Sequence, residues 1–299
     1  MTAASSPTPY RVSTITAVGG VGSSVDIQAV FDVADVGGKA SAAADGESRR
    51  FVFASLGGET RGVDPGRLKR KRRGGAARKP KLFGNQVTTV IEEVSGIHGG
   101  AFVNAKVFQN GRVQMTGVKD VDQGRRVLDW IVAELARMGV VECRDRLAAV
   151  GYRVCLINTD FDLSLRVKRD LLLRCLRRHH PSVQTSFEPC IYPGLKIKYM
   201  WREGTDAAMA GCCTCAETCC GRGVGAADKS GQCRKVSVAV FQSGKVIVTG
   251  AHTMKQIDDT YAFLLGLVAE HGDAFRMPDA PPPAADMVGC MMKRLCLGI

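Results

Sequence analysis

Apolar positions along this chain recur with two different periods, and each period predicts a different kind of element. Within residues 112–116, Val113 and Met115 alternate with polar neighbours, which is typical of a strand that buries one face. Other short apolar or alternating runs predict strands at residues 11–17, 86–92, 101–108, 152–158, 195–201, 235–241 and 245–249. Asn110-Gly111 and Ser243-Gly244 separate consecutive strands and predict tight hairpin turns.

Steps of three and four residues between apolar positions predict two long helices. The first runs over residues 121–138 and the second over residues 254–270, where Thr253 followed by Gln256 fits a capping box. Shorter helices are predicted at residues 25–33 and 165–176. The chain therefore mixes many strands with a few helices.

The order of these elements occurs twice, because the sequence contains an internal repeat. Residues 103–123 and 236–256 align without a gap and are identical at nine of 21 positions. Tyr10-Arg11-Val12 likewise matches Tyr152-Arg153-Val154. A repeat of this length indicates a duplicated structural unit. We therefore predict a first repeat at 10–138 with a basic insertion near 48–82, a second at 150–271 with a cysteine-rich insertion near 203–233, and a proline-rich linker and tail at 277–299.

Each repeat supplies more strands than its helices can cover on both faces, so we expect an α+β fold. Its antiparallel sheet would carry helices on one face and leave the other open. Alternation assigns side chains to the open face. These are Arg112, Gln114 and Thr116 in the first repeat, and Lys245, Ile247 and Thr249 in the second. An open face with two matching sets of side chains predicts a binding surface.

Charge is concentrated in one segment. Residues 67–81 contain nine Lys or Arg and no acid, and the net charge of +12 falls to +3 without them. Such a run is typical of a solvated loop, a nuclear-localisation signal or a phosphate clamp. No apolar stretch is long enough to span a bilayer, and the first ten residues lack the pattern of a signal peptide. We therefore expect an intracellular protein with no membrane association.

Half of the twelve cysteines lie in the cysteine-rich insertion. In a reducing compartment such residues are thiols or metal ligands rather than disulfides. Cys212-x-x-Cys215 has the spacing of zinc ligands, and Cys219 or Cys220 with Cys233 would complete a tetrahedral site. We predict Cys212, Cys215, Cys220 and Cys233 as the zinc ligands, with free thiols as the alternative. His179, His180 and His252 form no triad-like pattern with a cysteine, so we do not expect catalysis.

The hairpin at residues 240–250, its counterpart at 107–117, and the segments 187–195 and 79–83 resemble the TATA-binding-protein family. The resemblance covers about 240 residues in both halves and is nearest to the divergent family members of large DNA viruses. It implies a saddle-shaped, monomeric protein with internal pseudo-symmetry and helices on the convex face. It also implies binding of double-stranded DNA along the minor groove.

The resemblance further implies roles for individual residues. Phe83 with Phe108, and Tyr192 with Phe241, would be aromatic wedges inserted between base steps. Thr116 and Thr249 would touch base edges, and Arg112, Lys119, Lys198 and Lys245 would meet phosphates. Gln114 stands where the family keeps an apolar residue, and Tyr192 where it keeps Phe. Asn158 is the candidate for an asparagine that the family uses at the centre of the site.

By the same resemblance the protein is a transcription initiation factor without enzymatic activity. It would act in the nucleus or a viral replication compartment and recruit a B-type general initiation factor and an RNA polymerase. It would need no cofactor, although a structural zinc is compatible with its cysteines. Two alternatives stay open. One is a protein-interaction scaffold that binds DNA non-specifically or not at all, and the other is an enzyme that uses the sheet as a nucleic-acid-binding module.

Overall fold

A computed structural model describes residues 6–66, 84–216, 219–226 and 232–278. The basic run, Phe83 and the tail beyond residue 278 lie outside these ranges. In chain order the elements are β1 (Arg11–Gly20), α1 (Ile27–Val33), β2 (Ser41–Ala42), β3 (Ser48–Leu56), β4 (Glu59–Gly62), β5 (Gln86–Glu93), β6 (Phe102–Phe108), β7 (Arg112–Val118), α2 (Val121–Met138), β8 (Val150–Asp162), α3 (Arg169–His179), β9 (Gln184–Ser186), β10 (Leu195–Trp201), β11 (Arg234–Val240), β12 (Lys245–Ala251) and α4 (Met254–Phe275). Among the described residues, no helix is both long and apolar enough to cross a bilayer.

The twelve strands form one sheet in which every pairing is antiparallel. The order is β2-β3-β5-β6-β7-β1-β8-β12-β11-β10-β9, and β4 pairs with β3 at one end. The opening strands of the two repeats, β1 and β8, pair with each other at the centre. Outward from them, β7, β6 and β5 correspond to β12, β11 and β10. The predicted duplication and α+β fold are confirmed.

The helices cover one face of this sheet. Buried side chains alternate with less buried ones along the strands, as in β7, where Val113 and Met115 are buried between Arg112, Gln114 and Thr116. The buried set packs with the apolar stripes of α2 and α4 in one continuous core, which includes Leu128, Ile131 and Leu264. We call the other face of the sheet the open face.

The two long hairpins turn at equivalent glycines. Gly111 and Gly244 have φ angles of 76° and 89°, which side chains rarely adopt. A Cβ on Gly111 would lie 2.0 Å from the Ser23 carbonyl oxygen, and one on Gly244 would lie 2.2 Å from that of Leu165. Both turns therefore require glycine for conformation and for space.

The same pattern of hydrogen bonds caps the N-terminus of each long helix. Asp120 accepts a hydrogen bond from the Gln123 N–H at 2.7 Å, and Gln123 Oε1 accepts from Lys119 N. Thr253 accepts from the Gln256 N–H at 3.3 Å, and Gln256 Oε1 accepts from His252 N at 2.7 Å. The predicted capping box at α4 is confirmed, and α2 contains its counterpart.

One boundary in the first repeat was wrong. Residues 48–62 were assigned to an insertion, but they form β3 and β4, and β3 pairs with β5 inside the sheet. The reason is a buried cation. Arg49, with no exposed side-chain area, bonds to Asp45, Glu47 and Glu93 at 2.6–3.1 Å. Three non-adjacent carboxylates make a basic strand compatible with burial, and alternation alone does not reveal them.

Candidate nucleic-acid interface

The open face carries the side chains that alternation assigned to it. On β7, Arg112 is exposed, while Gln114 and Thr116 are half-buried. On β12, Lys245 and Ile247 are exposed and Thr249 is half-buried. The alternate residues on both strands point into the core. The predicted orientation of both sets is confirmed.

Phe108 and Phe241 lie on this face as well. Phe108 follows Asn104 and Lys106 on the half-buried side of β6, whereas Val103, Ala105 and Val107 are buried. Phe241 comes directly after β11 and is half-buried next to the fully buried Val240. Both rings also line cavities on the open face. Neither ring therefore packs into the core under the helices.

These cavities are two related hollows at opposite ends of the open face. The first has a volume of about 950 Å³ and is lined by Phe108, Arg112, Gln114, Val18 and Arg153 among others. The second has a volume of about 760 Å³ and is lined by Phe241, Lys245, Ile247, Asp160 and Arg11 among others.

Strand register makes the two hollows equivalent. In the first, Gln114 pairs with Val18, which pairs with Arg153. In the second, Ile247 pairs with Asp160, which pairs with Arg11. Each row runs through three strands and crosses the centre of the sheet. The duplication thus places a half-buried Phe, a cation of the hairpin strand and a cation of an opening strand in each hollow, and Arg146 adds a third cation to the first.

Tyr192 packs against Phe241, the half-buried aromatic residue of the second hollow. Its ring centroid lies 5.9 Å from that of Phe241, and the Lys196 Nζ lies 4.6 Å from the Tyr192 centroid. Gly194 leaves room for this contact, because a Cβ there would lie 2.7 Å from the Tyr192 ring. The structure therefore brings the predicted pair Tyr192–Phe241 together. The other predicted pair includes Phe83, which lies outside the described residues.

Near the centre of the face, Asn158 pairs with Thr14 across the two opening strands. The Asn158 Oδ1 is buried and has no hydrogen-bond partner among the described residues. A buried amide oxygen without a partner is costly, and it is commonly satisfied by water or a ligand. This position agrees with the role expected of Asn158 at the middle of the site.

The two remaining predicted lysines are partly engaged by the protein. Lys119 Nζ donates to the Ser13 carbonyl at 2.9 Å, next to the central strands. Lys198 is exposed on β10 and donates to Gln184 Oε1 at 3.3 Å. Such exposed contacts are weak and exchange readily with other acceptors.

The cations of the open face that were missed from the sequence include Arg11, Arg153 and Lys196, with Lys106 on β6 and Arg146 beside the first hollow. The signal for the first two was present, because they occupy the same position in the matching Tyr-Arg-Val segments. Their relation to the hollows depends on pairing between strands about 140 residues apart. Arg11 also bonds to Asp160 at 2.9 Å, so part of its charge is balanced within the second hollow.

The cysteine-rich insertion brings four thiols together, but not the predicted four. Cys213, Cys215, Cys219 and Cys233 place their sulfur atoms within 4.8 Å of one another. The assignment of Cys212 and Cys220 was wrong. Cys212 is buried beside the Ala210 carbonyl, and Cys220 is exposed and donates to Gln232. Spacing alone could not separate neighbouring cysteines, since a change of one residue reverses the direction of the side chain.

The surroundings of these thiols shift the pKa values of Cys215 and Cys233 in opposite directions. Burial favours the neutral form of Cys215, but hydrogen bonds from the Cys233 N–H and the neighbouring thiols lower its pKa to about 7. Burial raises the pKa of Cys233 to about 12.

Cys175, His179 and His271 form a second group of ligand atoms, between α3 and α4.

Comparison with known proteins supports the resemblance. The chain is 26% identical over 195 residues to a "TATA-box-binding protein-like" protein of Acanthamoeba polyphaga mimivirus. The match covers 62% of this chain and 47% of that protein, so the chain spans about half the length of its relative. Among solved structures, the TBP of Methanococcus jannaschii matches with a TM-score of 0.46 and 15% identity, over 88% of this chain and 99% of that one.

No protein-family model matches the chain. The predicted resemblance of this chain to TATA-box-binding-protein-like proteins, including one from a large DNA virus, is confirmed by the match to the mimivirus protein.

Proposed function

We propose that the protein binds duplex DNA with its open face and acts as a transcription initiation factor without enzymatic activity. The pair of equivalent hollows carries this proposal. Each contains a half-buried Phe and at least two cations: Phe108 with Arg112, Arg146 and Arg153, and Phe241 with Lys245 and Arg11. A duplex has two antiparallel backbones related by twofold symmetry, and the hollows have the matching arrangement.

Each kind of side chain in a hollow can contact a different part of a DNA duplex. Arg and Lys side chains neutralise phosphates, which positions a protein on DNA without reading the sequence. An aromatic ring placed beside them can enter a base step from the minor groove. Unstacking a step costs a few kcal/mol, and the larger contact with the bent duplex offsets that cost. We therefore propose that Phe108, Phe241 and Tyr192 are wedges and that binding bends the DNA.

The centre of the face suits the floor of the minor groove. That floor offers the N3 and O2 acceptors of A·T pairs, and G·C pairs add one donor. Thr116, Thr249 and Asn158 carry hydroxyl and amide groups there, which can donate hydrogen bonds to these acceptors. These groups can distinguish A·T from G·C pairs without reading the order within a pair.

Partners on the other face belong to the same proposal. α2 and α4 lie on the covered face of the sheet. The sides of these helices that point away from the sheet form a surface that other proteins can contact. By analogy with the resembling proteins, we propose that this surface recruits a B-type general initiation factor and an RNA polymerase. The site of action would then be the nucleus or a viral replication compartment.

One observation favours a protein-interaction scaffold instead. Asp160 and Asp162 line the second hollow, and carboxylates repel phosphates. Asp160 is paired with Arg11, which reduces this repulsion. Val18 holds the position equivalent to Asp160 in the first hollow. Glu142 also lines the first hollow, so both hollows carry carboxylates, which lie on a strand of the sheet only in the second.

The test measures affinity and bending together on A/T-rich and G/C-rich duplexes that carry a fluorophore at each end. We expect bending of the A/T-rich duplex that is lost in the F108A/F241A double variant. Phe102→Ala is the matched control, because Phe102 is an exposed Phe of the same strand and face, at the end away from the hollow. Binding that is unbent, blind to sequence and unaffected by F108A/F241A would overturn the proposal and favour the scaffold.

A further inference from the structure

We propose that Cys213, Cys215, Cys219 and Cys233 bind a structural zinc ion that fastens the insertion between β10 and β11 to the body of the protein. Their four sulfur atoms lie within 4.8 Å of one another. Cys215 and Cys233 are separated by 3.4 Å, and Cys213 and Cys233 by 3.9 Å. Three of the ligands come from the middle of the insertion and the fourth, Cys233, from its end at β11, so an ion there would link these two parts of the chain.

These separations fit one ion at the centre. Tetrahedral zinc with Zn–S bonds of about 2.3 Å requires sulfur–sulfur distances of roughly 3.8 Å. A disulfide would need about 2.05 Å between two of the sulfurs. Four thiolates also match the preference of zinc for soft ligands, and hard cations such as Mg²⁺ favour oxygen.

The surroundings of the sulfurs are those of thiolate ligands. The Cys233 N–H donates to Cys215 Sγ at 3.3 Å, and the Gly221 N–H donates to Cys219 Sγ at 3.3 Å. The Arg202 guanidinium lies 3.9 Å from Cys215 Sγ. N–H donors and a cation next to the ligand atoms reduce their negative charge and orient them around a metal.

Four protein ligands leave no open position for water or substrate, so the site is structural rather than catalytic. Cys233 has no exposed area, directly before β11, and therefore joins the ion to the rigid sheet. Cys213 is exposed and belongs to the insertion. The ion would thus connect a glycine-rich segment to a strand of the sheet.

The insertion needs such a fastening because it has little core of its own. In its described part, the sole helical element is a three-residue 3₁₀ turn, Ala207–Met209. This described part contacts the body through Cys212, which is buried in the core, through the Gly211 and Gly221 carbonyls, which accept from Met200 N and Lys235 N, and through the Val224 carbonyl, which accepts from Gln256 Nε2 at 3.2 Å. Small segments without a core commonly gain their stability from metal binding.

This contact gives the zinc a functional consequence that rests on the proposed function. Gln256 lies in the first turn of α4 and also closes its capping box. Loss of the ion would release the insertion from the end of α4, on the surface proposed for protein partners. DNA binding by the open face would be retained.

The test is zinc content of the purified full chain, measured after unfolding with a colorimetric chelator. We expect about one equivalent that is lost in C215S and in C233S. Cys212→Ser and Cys220→Ser are matched controls, because these cysteines are sequence neighbours that lie outside the cluster. His179→Ala reports on the Cys175, His179 and His271 group and should leave the zinc content unchanged. Cobalt substitution should give the visible spectrum of a tetrahedral tetrathiolate site.

If the cysteine variants fail to fold, the wild-type protein provides a second measurement. Removing zinc from it with a chelator should increase proteolytic cleavage within residues 202–233 while far-ultraviolet circular dichroism is unchanged. No zinc in the wild-type protein, retention of zinc in C233S, or a cobalt spectrum without thiolate bands would each overturn the proposal. DNA bending is measured separately, so failure of either proposal is distinguishable from failure of the other.

Discussion

Tyr192 and Phe241 meet with their ring centroids 5.9 Å apart and their planes inclined at 59°. The two residues come from different strand ends, and their contact joins β10 to β11 at the edge of the second hollow. Paired rings resist deflection better than one exposed ring. This geometry is suited to a wedge that must keep its orientation while it enters a base step.

We expect the two rings to act together on DNA. Y192A and F241A should each reduce bending, and their combination should cost less than the sum of the two. The coupling free energy should be about 0.5–1.5 kcal/mol, as for other aromatic pairs. The measurement is a double-mutant cycle on duplex affinity, with Tyr192→Phe as the control that keeps the ring. Additive losses would show that the rings act independently.

The cations of the hollows should determine the salt dependence of binding. R112A and K245A should each reduce the slope of log affinity against log salt by about 1, because each removes one phosphate contact. Arg174→Ala is the matched control, since Arg174 lies on α3 and pairs with Asp170 away from the open face. Unchanged slopes in both hollow variants would assign the salt dependence to other cations, including the run at residues 67–81.

Glycine is required at the two hairpin turns, and substitution there should destabilise the fold. Gly111→Ala and Gly244→Ala should each lower the free energy of unfolding by more than about 1 kcal/mol, since φ is positive and a carbonyl occupies the space. Gly266→Ala on α4 is the control. A Cβ there meets nothing within 4 Å, so alanine should stabilise by about 0.5–1 kcal/mol. Urea denaturation measures all three, and a stable G244A variant would contradict the argument.

The capping box of α4 should be measurable in the same way. Thr253→Ala removes the acceptor for the Gln256 N–H and should lower the free energy of unfolding by about 1 kcal/mol. Thr253→Ser keeps the hydroxyl and should restore most of this loss. If both variants matched the wild-type protein, the cap would not contribute to stability.

The carboxylates around Arg49 should make stability depend on acid pH. Burial acts to raise the pKa of Asp45, but hydrogen bonds from Arg49 and the Glu47 N–H, with the charges of Arg49 and Arg126, lower it below its ordinary value. The charged carboxylate therefore stabilises the fold above the ordinary Asp pKa of about 4, and this contribution is lost as the pH falls through the lowered folded-state pKa.

D45N should accordingly be less stable than the wild-type protein at neutral pH, and the difference should shrink as the pH falls below about 4. Chemical denaturation over a pH series measures this difference. A difference that stayed constant over the series would show that Asp45 contributes through its hydrogen bonds alone.

Local patterns in the sequence predicted much of this fold. The bounds of α2 and of β10 agree with the apolar periodicity, because each is set by burial of its own residues. The turns at Gly111 and Gly244 and the cap at Thr253 depend on chemistry within a few residues. Alternation also assigned Arg112 and Lys245 to the open face, since successive side chains of a strand point to opposite sides.

The sequence by itself thus determined the duplication, the sheet with one open face and the residues that face outward. Tertiary structure decided what those residues form together. Arg11 and Arg153 enter hollows only through pairing of β1 with β8, and Arg49 is fully paired only because the distant Glu93 of β5 joins the nearby Asp45 and Glu47 around it. Cys213 and Cys219 replace their neighbours in the cluster because the path of the insertion directs their sulfurs inward. Each of these contacts depends on the positions of groups far apart in the chain, and local periodicity contains no information about such distances.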